Sequence, residues 1–215
     1  MANNDKNYHK TRFKFDPGRV RVWRAITEYL QPHVGDNKTV LDLGSGYGDF
    51  INLIAAKKKY ALDIGPDVKD YIAKDVVFIN KPSTSLGDIP SSSLDVVFSS
   101  NLMEHLDRAE IDQTMKGIKR AMKKEGTLIL VGPNFRYAYK EYFDDYTHKT
   151  IFTHVSLADL MFEYGFHATK VVPRFLPLTL KSRLPKSYFL TKMYLNSPIK
   201  PMGKQMLLVF EVSHV

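Results

Sequence analysis

Gly44, Gly46 and Gly48 stand at alternate positions directly after the apolar run Thr39-Val40-Leu41-Asp42-Leu43. A short apolar run stopped by glycines reads as a buried strand ending in a tight turn. Glycine lets the backbone turn hard and lets a ligand approach closely, and amides at the start of a following helix favour an anionic group. The helix is expected from about Asp49 to Ala56. In an open α/β sheet such a junction lies at the carboxyl edge, where ligands bind. A turn without a ligand is the plainer alternative, and three alternate glycines after a strand weigh against it.

The remaining chain alternates in the same way. Val20, Trp23, Ile26, Thr27 and Leu30 have helical spacing after Asp16-Pro17, and the turn Gly35-Asp36-Asn37 separates them from the first strand. Strands are expected at Tyr60–Ile64, Val76–Ile79, Leu94–Phe98 and Thr127–Val131, with a short helix from Pro66 to Ala73 and a long one from Arg108 to Lys123. Strands that lack a polar face and alternate with helices belong to a parallel sheet covered on both sides, and right-handed crossovers make it doubly wound. After Gly132 come a polar, aromatic loop, a helix begun by Ser156, a strand at 169–172 and a last strand at 205–210, expected antiparallel beside its predecessor. The fold class is therefore α/β, Rossmann-like, mostly parallel with an antiparallel last strand.

At 215 residues and 44% hydrophobic content, one domain spanning 1–215 is expected. It divides into an N-terminal helical cap (1–35), a half that carries the glycine loop (36–131) and a second half (132–215) that carries the aromatic loop and a basic segment. Cysteine is absent, so thiolate chemistry is excluded. The N-terminus lacks the apolar stretch of a secretory signal, and no apolar run approaches a membrane span, so a cytoplasmic protein is expected. The net charge of +8 is concentrated between Pro173 and Lys204, where Arg174, Lys181, Arg183, Lys186, Lys192, Lys200 and Lys204 stand without an acid.

A dinucleotide loop would read G-x-G-x-x-G, whereas here Gly48 comes one position early and is followed by Asp49, an acid that a pyrophosphate disfavours. A phosphate-free nucleoside fits better. Asp63 ends the second strand nineteen positions after Gly44, the place of an acid that accepts hydrogen bonds from ribose hydroxyls. With Leu41–Gly48, Asp63, the loop Gly87-Asp88-Ile89-Pro90 and Asn101-Leu102-Met103-Glu104-His105-Leu106, the chain resembles the class I methyltransferase family, strongly over Val40–Val131 and more loosely over the stretch beginning at Phe152. The resemblance implies S-adenosyl-L-methionine as cofactor, with S-adenosyl-L-homocysteine as product. It also implies that Asp42, Gly44, Ser45 and Gly46 hold the methionine end, Asp63 and Ile64 the ribose and adenine, Asp88 and Ile89 the adenine edge, and Ser100 and Asn101 the methyl-donor side. Ile64 and Ile89 as core, and Asp88 as a turn cap, are the bland alternatives.

The donor is already activated, so the protein mainly brings the nucleophile in line and excludes water; only a weakly acidic acceptor such as a hydroxyl also needs a base. His105, His148 and Glu104 are the catalytic candidates, with His154 in the same aromatic loop, and a helix-starting role for Glu104-His105 is the competing reading. Tyr137, Tyr139, Tyr142, Phe143, Tyr146 and Phe152 offer rings to stack on an acceptor. Some family members hold a divalent ion with E-x-x-E-H and a distant histidine; here Asn101 replaces the first acid, and no metal is expected. Ser100-Asn101-Leu102-Met103 lacks the Pro-Pro-aromatic segment of many amino-methyltransferases, and no nucleic-acid-binding module precedes the catalytic half, so nucleic acid is disfavoured as partner.

The expected acceptor is a small-molecule or glycan hydroxyl, including a lipid-linked glycan. Segment 173–204 mixes basic and apolar residues and is read as a cap on the acceptor pocket that also allows peripheral contact with an anionic membrane. Three alternatives are a non-catalytic protein that binds S-adenosylmethionine, a methyltransferase acting on RNA or protein, and a nucleotide-dependent oxidoreductase.

Overall fold

The computed structural model describes residues 15–178 and 186–213; Lys181 and Arg183 of the basic segment lie outside them. In chain order the elements are helix α1 (Arg19–Val34), strands β1 (Thr39–Leu43), β2 (Lys58–Asp63), β3 (Val76–Asn80) and β4 (Leu94–Ser100), helix α2 (Arg108–Ala121), strand β5 (Met122–Pro133), the single turn α3 (Phe135–Ala138), helix α4 (His154–Glu163), strand β6 (Phe166–Val172), helix α5 (Tyr188–Asn196) and strand β7 (Gln205–Val212). Short 3₁₀ turns occupy Pro66–Tyr71, Met103–His105 and Tyr142–Asp144.

The seven strands form one sheet in the order β3-β2-β1-β4-β5-β7-β6. Pairing is parallel from β3 through β5, and β7 runs antiparallel between β5 and β6. The order reverses beside β1, which places the glycine loop at the switch point of the sheet.

Alternation along the strands divides the core between the two faces. Leu41, Leu43, Val97, Leu128 and Leu130 pack with Ile111, Met115 and Ile118 of α2 on one side. Val40, Val96, Phe98, Ile129 and Val131 pack with Ile26, Leu30 and Val34 of α1 on the other.

Four expectations change at the elements. The residues after Gly48 form hydrogen-bonded turns rather than a helix, because the Asn52 amide group is diverted to Tyr71 and Ala73, and the amides of Lys57 and Lys58 go to the Lys38 carbonyl. No helix N-terminus therefore stands behind the loop. The segment from Pro66 is a 3₁₀ turn ending at Tyr71. Strand β5 starts five residues before the expected Thr127, so α2 ends at Ala121. Helix α4 starts at His154, with Thr153 as the cap that accepts the Ser156 amide and Ser156 in the third helical position.

Asp107, not Glu104, starts α2: its carboxylate accepts from Ala109 and Glu110 N–H at 3.0 and 2.9 Å, and Glu110 accepts the Asp107 N–H at 2.8 Å. That releases Glu104 and His105 from the capping role.

The described part of the basic segment is largely tied into the fold. Glu28 of α1 accepts from Tyr188 Oη at 2.6 Å and from Lys192 Nζ at 3.1 Å. Lys186 pairs with Asp16, and Lys204 with Glu141. Lys200 donates to the carbonyls of Tyr194 and Leu195, both at 2.6 Å, and Arg174 lies 4.7 Å from the Tyr137 ring centre. Leu195 is buried against the α1 face of the core.

Candidate active site

The glycine loop takes its shape from backbone that L-residues avoid: φ is +75° at Gly44, +50° at Gly46 and +73° at Gly48. A Cβ at Gly48 would lie 2.7 Å from Asn52 Nδ2 and 2.8 Å from Ile72 Cδ1, so no side chain fits. The loop is clamped to β2. Gly44 and Ser45 N–H donate to the Leu62 carbonyl at 2.8 and 3.1 Å. Asp63 is buried and accepts from Gly46 N–H and Gly65 N–H, both at 2.8 Å. The strand-end acid thus braces the loop.

Asp42 is buried in β1, and burial, reinforced by the negative charges of Asp63 and Asp49, raises its carboxyl well above the ordinary range. Burial also raises Asp49, against the pull of Arg19, whose guanidinium reaches the Asp49 carboxylate at 2.8 Å. The Asp63 carboxylate at the loop disfavours a pyrophosphate there. Ser45 Oγ is buried without a hydrogen-bond partner among the described residues.

At the end of β4, Asn101 adopts φ +54°. Its N–H donates to the Val131 carbonyl at 2.8 Å, its Oδ1 accepts from Gln205 Nε2 at 2.9 Å, and its Nδ2 donates to Ser100 Oγ at 3.0 Å. The turn at Met103–His105 then carries Glu104 and His105 toward the aromatic loop. Lys149 and Thr150 N–H donate to the Glu104 carbonyl at 2.8 and 3.1 Å, which fixes the loop against this turn.

The result is a cluster of Glu104, His105 and His148 in which one donor atom from each lies within 4.8 Å of the others. Each group is perturbed. Burial, with the Asp145 charge adding to it, pushes the Glu104 carboxyl up to about 8. Burial and repulsion from His148 push the His105 imidazole down to about 4. Thr147 donates its hydroxyl proton to Asp145 Oδ1 at 2.6 Å, so its oxygen accepts from His105 Nδ1 at 2.9 Å. His148 Nδ1 lies 2.6 Å from the Tyr142 carbonyl, which makes it the protonated nitrogen. Burial works to raise Asp145, but the Thr147 hydrogen bonds and the nearby histidines hold it below its ordinary range.

A scan against family models matches residues 11–171 to a methyltransferase domain. The chain belongs to this methyltransferase family. Solved structures agree on the fold. An S-adenosylmethionine-dependent methyltransferase from Archaeoglobus fulgidus is 21% identical, with a TM-score of 0.68 over 95% of this chain and 97% of that one. One from Mesorhizobium loti is 14% identical, with a TM-score of 0.63 over 86% of this chain and 95% of that one. The geranyl diphosphate C-methyltransferase of Streptomyces coelicolor, solved with Mg²⁺, geranyl-S-thiolodiphosphate and S-adenosyl-L-homocysteine, is 13% identical, with a TM-score of 0.63 over 87% of this chain and 75% of that one. No curated protein matches the sequence significantly. The chain is an S-adenosylmethionine-dependent methyltransferase.

In this methyltransferase Asp42, Gly44, Ser45, Gly46 and Asp63 converge on one loop, and Ser100 and Asn101 stand at the end of β4, which pairs with β1. Ile64 is 46% exposed and is not core. Ile89 is fully buried in the α2-side core, and Asp88 pairs with Lys81 at 2.8 Å. His154 accepts from Asn134 Nδ2 at its Nδ1, 3.0 Å away, in the packing beneath α4. Of the aromatic loop, Tyr142 and Phe152 are core, while Tyr139, Phe143 and Tyr146 are exposed.

Sequence reasoning missed Thr147, Asp145, Arg19 and Gln205 as parts of the site. Only Asp145-x-Thr147 had a local signal, the spacing at which a short acid turns back on the chain, here through Thr147 N–H to Asp145 Oδ1 at 3.1 Å.

Proposed function

We propose that this methyltransferase O-methylates a hydroxyl on a sugar, a lipid-linked glycan or a small molecule. The observation that carries the reading is the Glu104–His105–His148 cluster, which meets the Tyr142 ring at 4.5 Å and through it Phe143 at 5.2 Å. S-adenosylmethionine supplies a methyl group already activated on a sulfonium. Asp63, held at the end of β2 by the Gly46 and Gly65 amides, sets a carboxylate beside the loop that offsets that positive charge. Asn101, pinned by Gln205, sets the wall between donor and acceptor. A hydroxyl must lose a proton as its oxygen attacks; Glu104 keeps its own proton up to about pH 8 and His105 is a weak base, so within the cluster that role falls to His148. The exposed rings of Tyr139, Phe143 and Tyr146 suit the flat apolar face of a sugar or an aromatic acceptor.

The test is methyl transfer from labelled donor to a panel of glycans, lipid-linked sugars, small hydroxylated metabolites, RNA and protein. Label on a hydroxyl of one of the first three classes is expected. Transfer to RNA or protein alone, or to none, defeats the proposal.

Peripheral contact with an anionic membrane belongs to the same reading. Phe189, Leu190, Met193, Ile199 and Met202 are all more than half exposed along 189–202, next to the paired lysines. No helix among the described residues is long and apolar enough to cross a membrane, so contact would be superficial.

A further inference from the structure

We infer that Arg19 is a positioning residue for the methyl donor: from the first position of α1 it grips Asp49 and, with Phe15, holds the glycine loop in the shape that receives S-adenosylmethionine. This rests on the reading that the loop is the donor site, and on nothing about the acceptor.

A loop with three glycines in left-handed backbone has little in its own sequence to hold it still. The residues that follow it form turns, so no regular helix continues from the loop to stiffen it. Its first half is fastened to β2, through the Leu62 carbonyl for Gly44 and Ser45 and through Asp63 for Gly46. Its second half, Tyr47 to Asp49, is fastened from α1 instead. Arg19 Nε and Nη2 both donate to Asp49 Oδ2, at 2.9 and 2.8 Å, and the two side chains are only 15% and 11% exposed. A pair so sheltered is weakly screened by salt, and losing one partner strands the other.

Helix formation gives no reason for this arginine. A cation at a helix N-terminus opposes the helix dipole, and the first turn of α1 holds no acid to offset it. Its counter-charge is the acid that follows Gly48. Beside the pair, Phe15 packs on Tyr47 and Tyr71 with ring centres 5.5 and 4.4 Å away, and Tyr47 meets Tyr71 edge-on at 4.8 Å. Tyr47 stands between Gly46 and Gly48, so these rings set the course of the loop where its own backbone does not. The start of α1 is anchored in turn: Asp16 pairs with Lys186, and Arg21 Nε donates to the Lys186 carbonyl at 3.1 Å. The grip on Asp49 therefore reaches the loop instead of being lost in movement of the helix end.

The test is calorimetric titration of purified full-length protein with S-adenosyl-L-homocysteine. Arg19→Met and Asp49→Asn should each weaken binding by about 10-fold or more, and the double variant should bind no more weakly than the weaker single, because Arg19 acts through Asp49. Arg19→Lys keeps the charge but loses the two-pronged contact and should fall between Arg19→Met and the wild type. Phe15→Ala should lose about threefold. Arg24→Ala, on the exposed side of the same helix, should bind as the wild type does. Thermal unfolding midpoints are measured for every variant. A pair that only stabilises the fold would lower the midpoint and leave the affinity of the folded protein unchanged, and that result overturns the inference. Losses that add in the double variant overturn it too, since the two residues would then act separately. If Asp49→Asn does not fold, Arg19→Met and Arg19→Lys decide alone. Gly48→Ala, titrated alongside, separates the two levels: weaker binding there with wild-type binding in Arg19→Met refutes the brace, whereas wild-type binding in both refutes the loop as donor site.

Discussion

Two buried carboxylates in the same sheet edge do different work, and the difference lies in what each touches. Asp63 accepts two backbone N–H groups, from Gly46 and Gly65, and so holds the loop in its ligand-ready form. Asp63→Ala frees both amides and should weaken S-adenosylmethionine binding by about 10-fold or more, as measured by calorimetry, since each hydrogen bond to a charged acceptor is worth about 1.5–3 kcal/mol. His148→Ala leaves the loop alone and should keep donor affinity within about twofold while turnover falls by about 10²–10⁴. Loss of donor affinity in the histidine variant would contradict this division. Asp42 gives a pH signature. Its folded-state value lies above the ordinary 3.8 because of burial and the nearby acids. Below about pH 3.8 both folded and unfolded states carry the proton, and the full stability is present. As pH rises, the unfolded chain ionises first, so stability falls until the folded value is passed, by at most about 1.4 kcal/mol per pH unit. Asp42→Asn cannot ionise, so urea unfolding at pH 5 and pH 7 should show the variant gaining on the wild type at the higher pH; an unchanged difference would refute the assignment.

At the scale of elements, the glycine loop shows what a sequence can and cannot disclose. The strand before it was legible because Val40, Leu41 and Leu43 are apolar and Gly44 stops them, and β4 and β7 were legible for the same reason. The helix expected after it is replaced by turns, because the backbone amides there are answered locally and by neighbours such as the Lys38 carbonyl. Tertiary hydrogen bonds leave no periodicity to read. The early start of β5 was hidden likewise, since Lys123, Lys124 and Glu125 are exposed at its outer end and look like a turn. The acceptor cluster was half legible: Glu104 and His105 are adjacent, but His148 reaches them only because Lys149 and Thr150 bond to the Glu104 carbonyl. No local pattern encodes that contact. For the loop itself, Gly48→Ala is the sharpest test. A methyl group there meets Asn52 and Ile72 at less than 3 Å with φ at +73°, so the loop must shift. Left-handed backbone alone costs an L-residue about 1–2 kcal/mol. Both a lower midpoint in urea and weaker donor binding are expected, whereas a variant with wild-type affinity would show that the loop's close packing is not part of the donor site.

For the whole molecule, the net charge of +8 is a poor guide to what the protein touches. Lys186, Lys192 and Lys204 face Asp16, Glu28 and Glu141, and Lys200 is taken by two carbonyls, so the cations of the described basic segment mainly fasten α5 to α1 and to the aromatic loop. Exposed pairs of this kind contribute little stability each, and salt screens them. What the segment leaves uncovered is apolar: Phe189 and Met193 are one helical turn apart on the outer side of α5 and are 74% and 64% exposed, and Ile199 is 75% exposed beyond it. If the protein meets a membrane, these side chains carry the contact and the lysines only draw it near. Two consequences separate that picture from simple charge attraction. Flotation with vesicles rich in acidic lipid should recover the wild type at low salt and still recover a substantial part of it at moderate salt, because buried hydrocarbon is not screened. Phe189→Ser combined with Met193→Ser should abolish recovery without changing the transfer rate to a water-soluble acceptor. Flotation that vanishes at moderate salt yet survives the double substitution would assign the contact to charge instead, and a wild type that stays wholly in solution at low salt would remove the membrane from this protein's function.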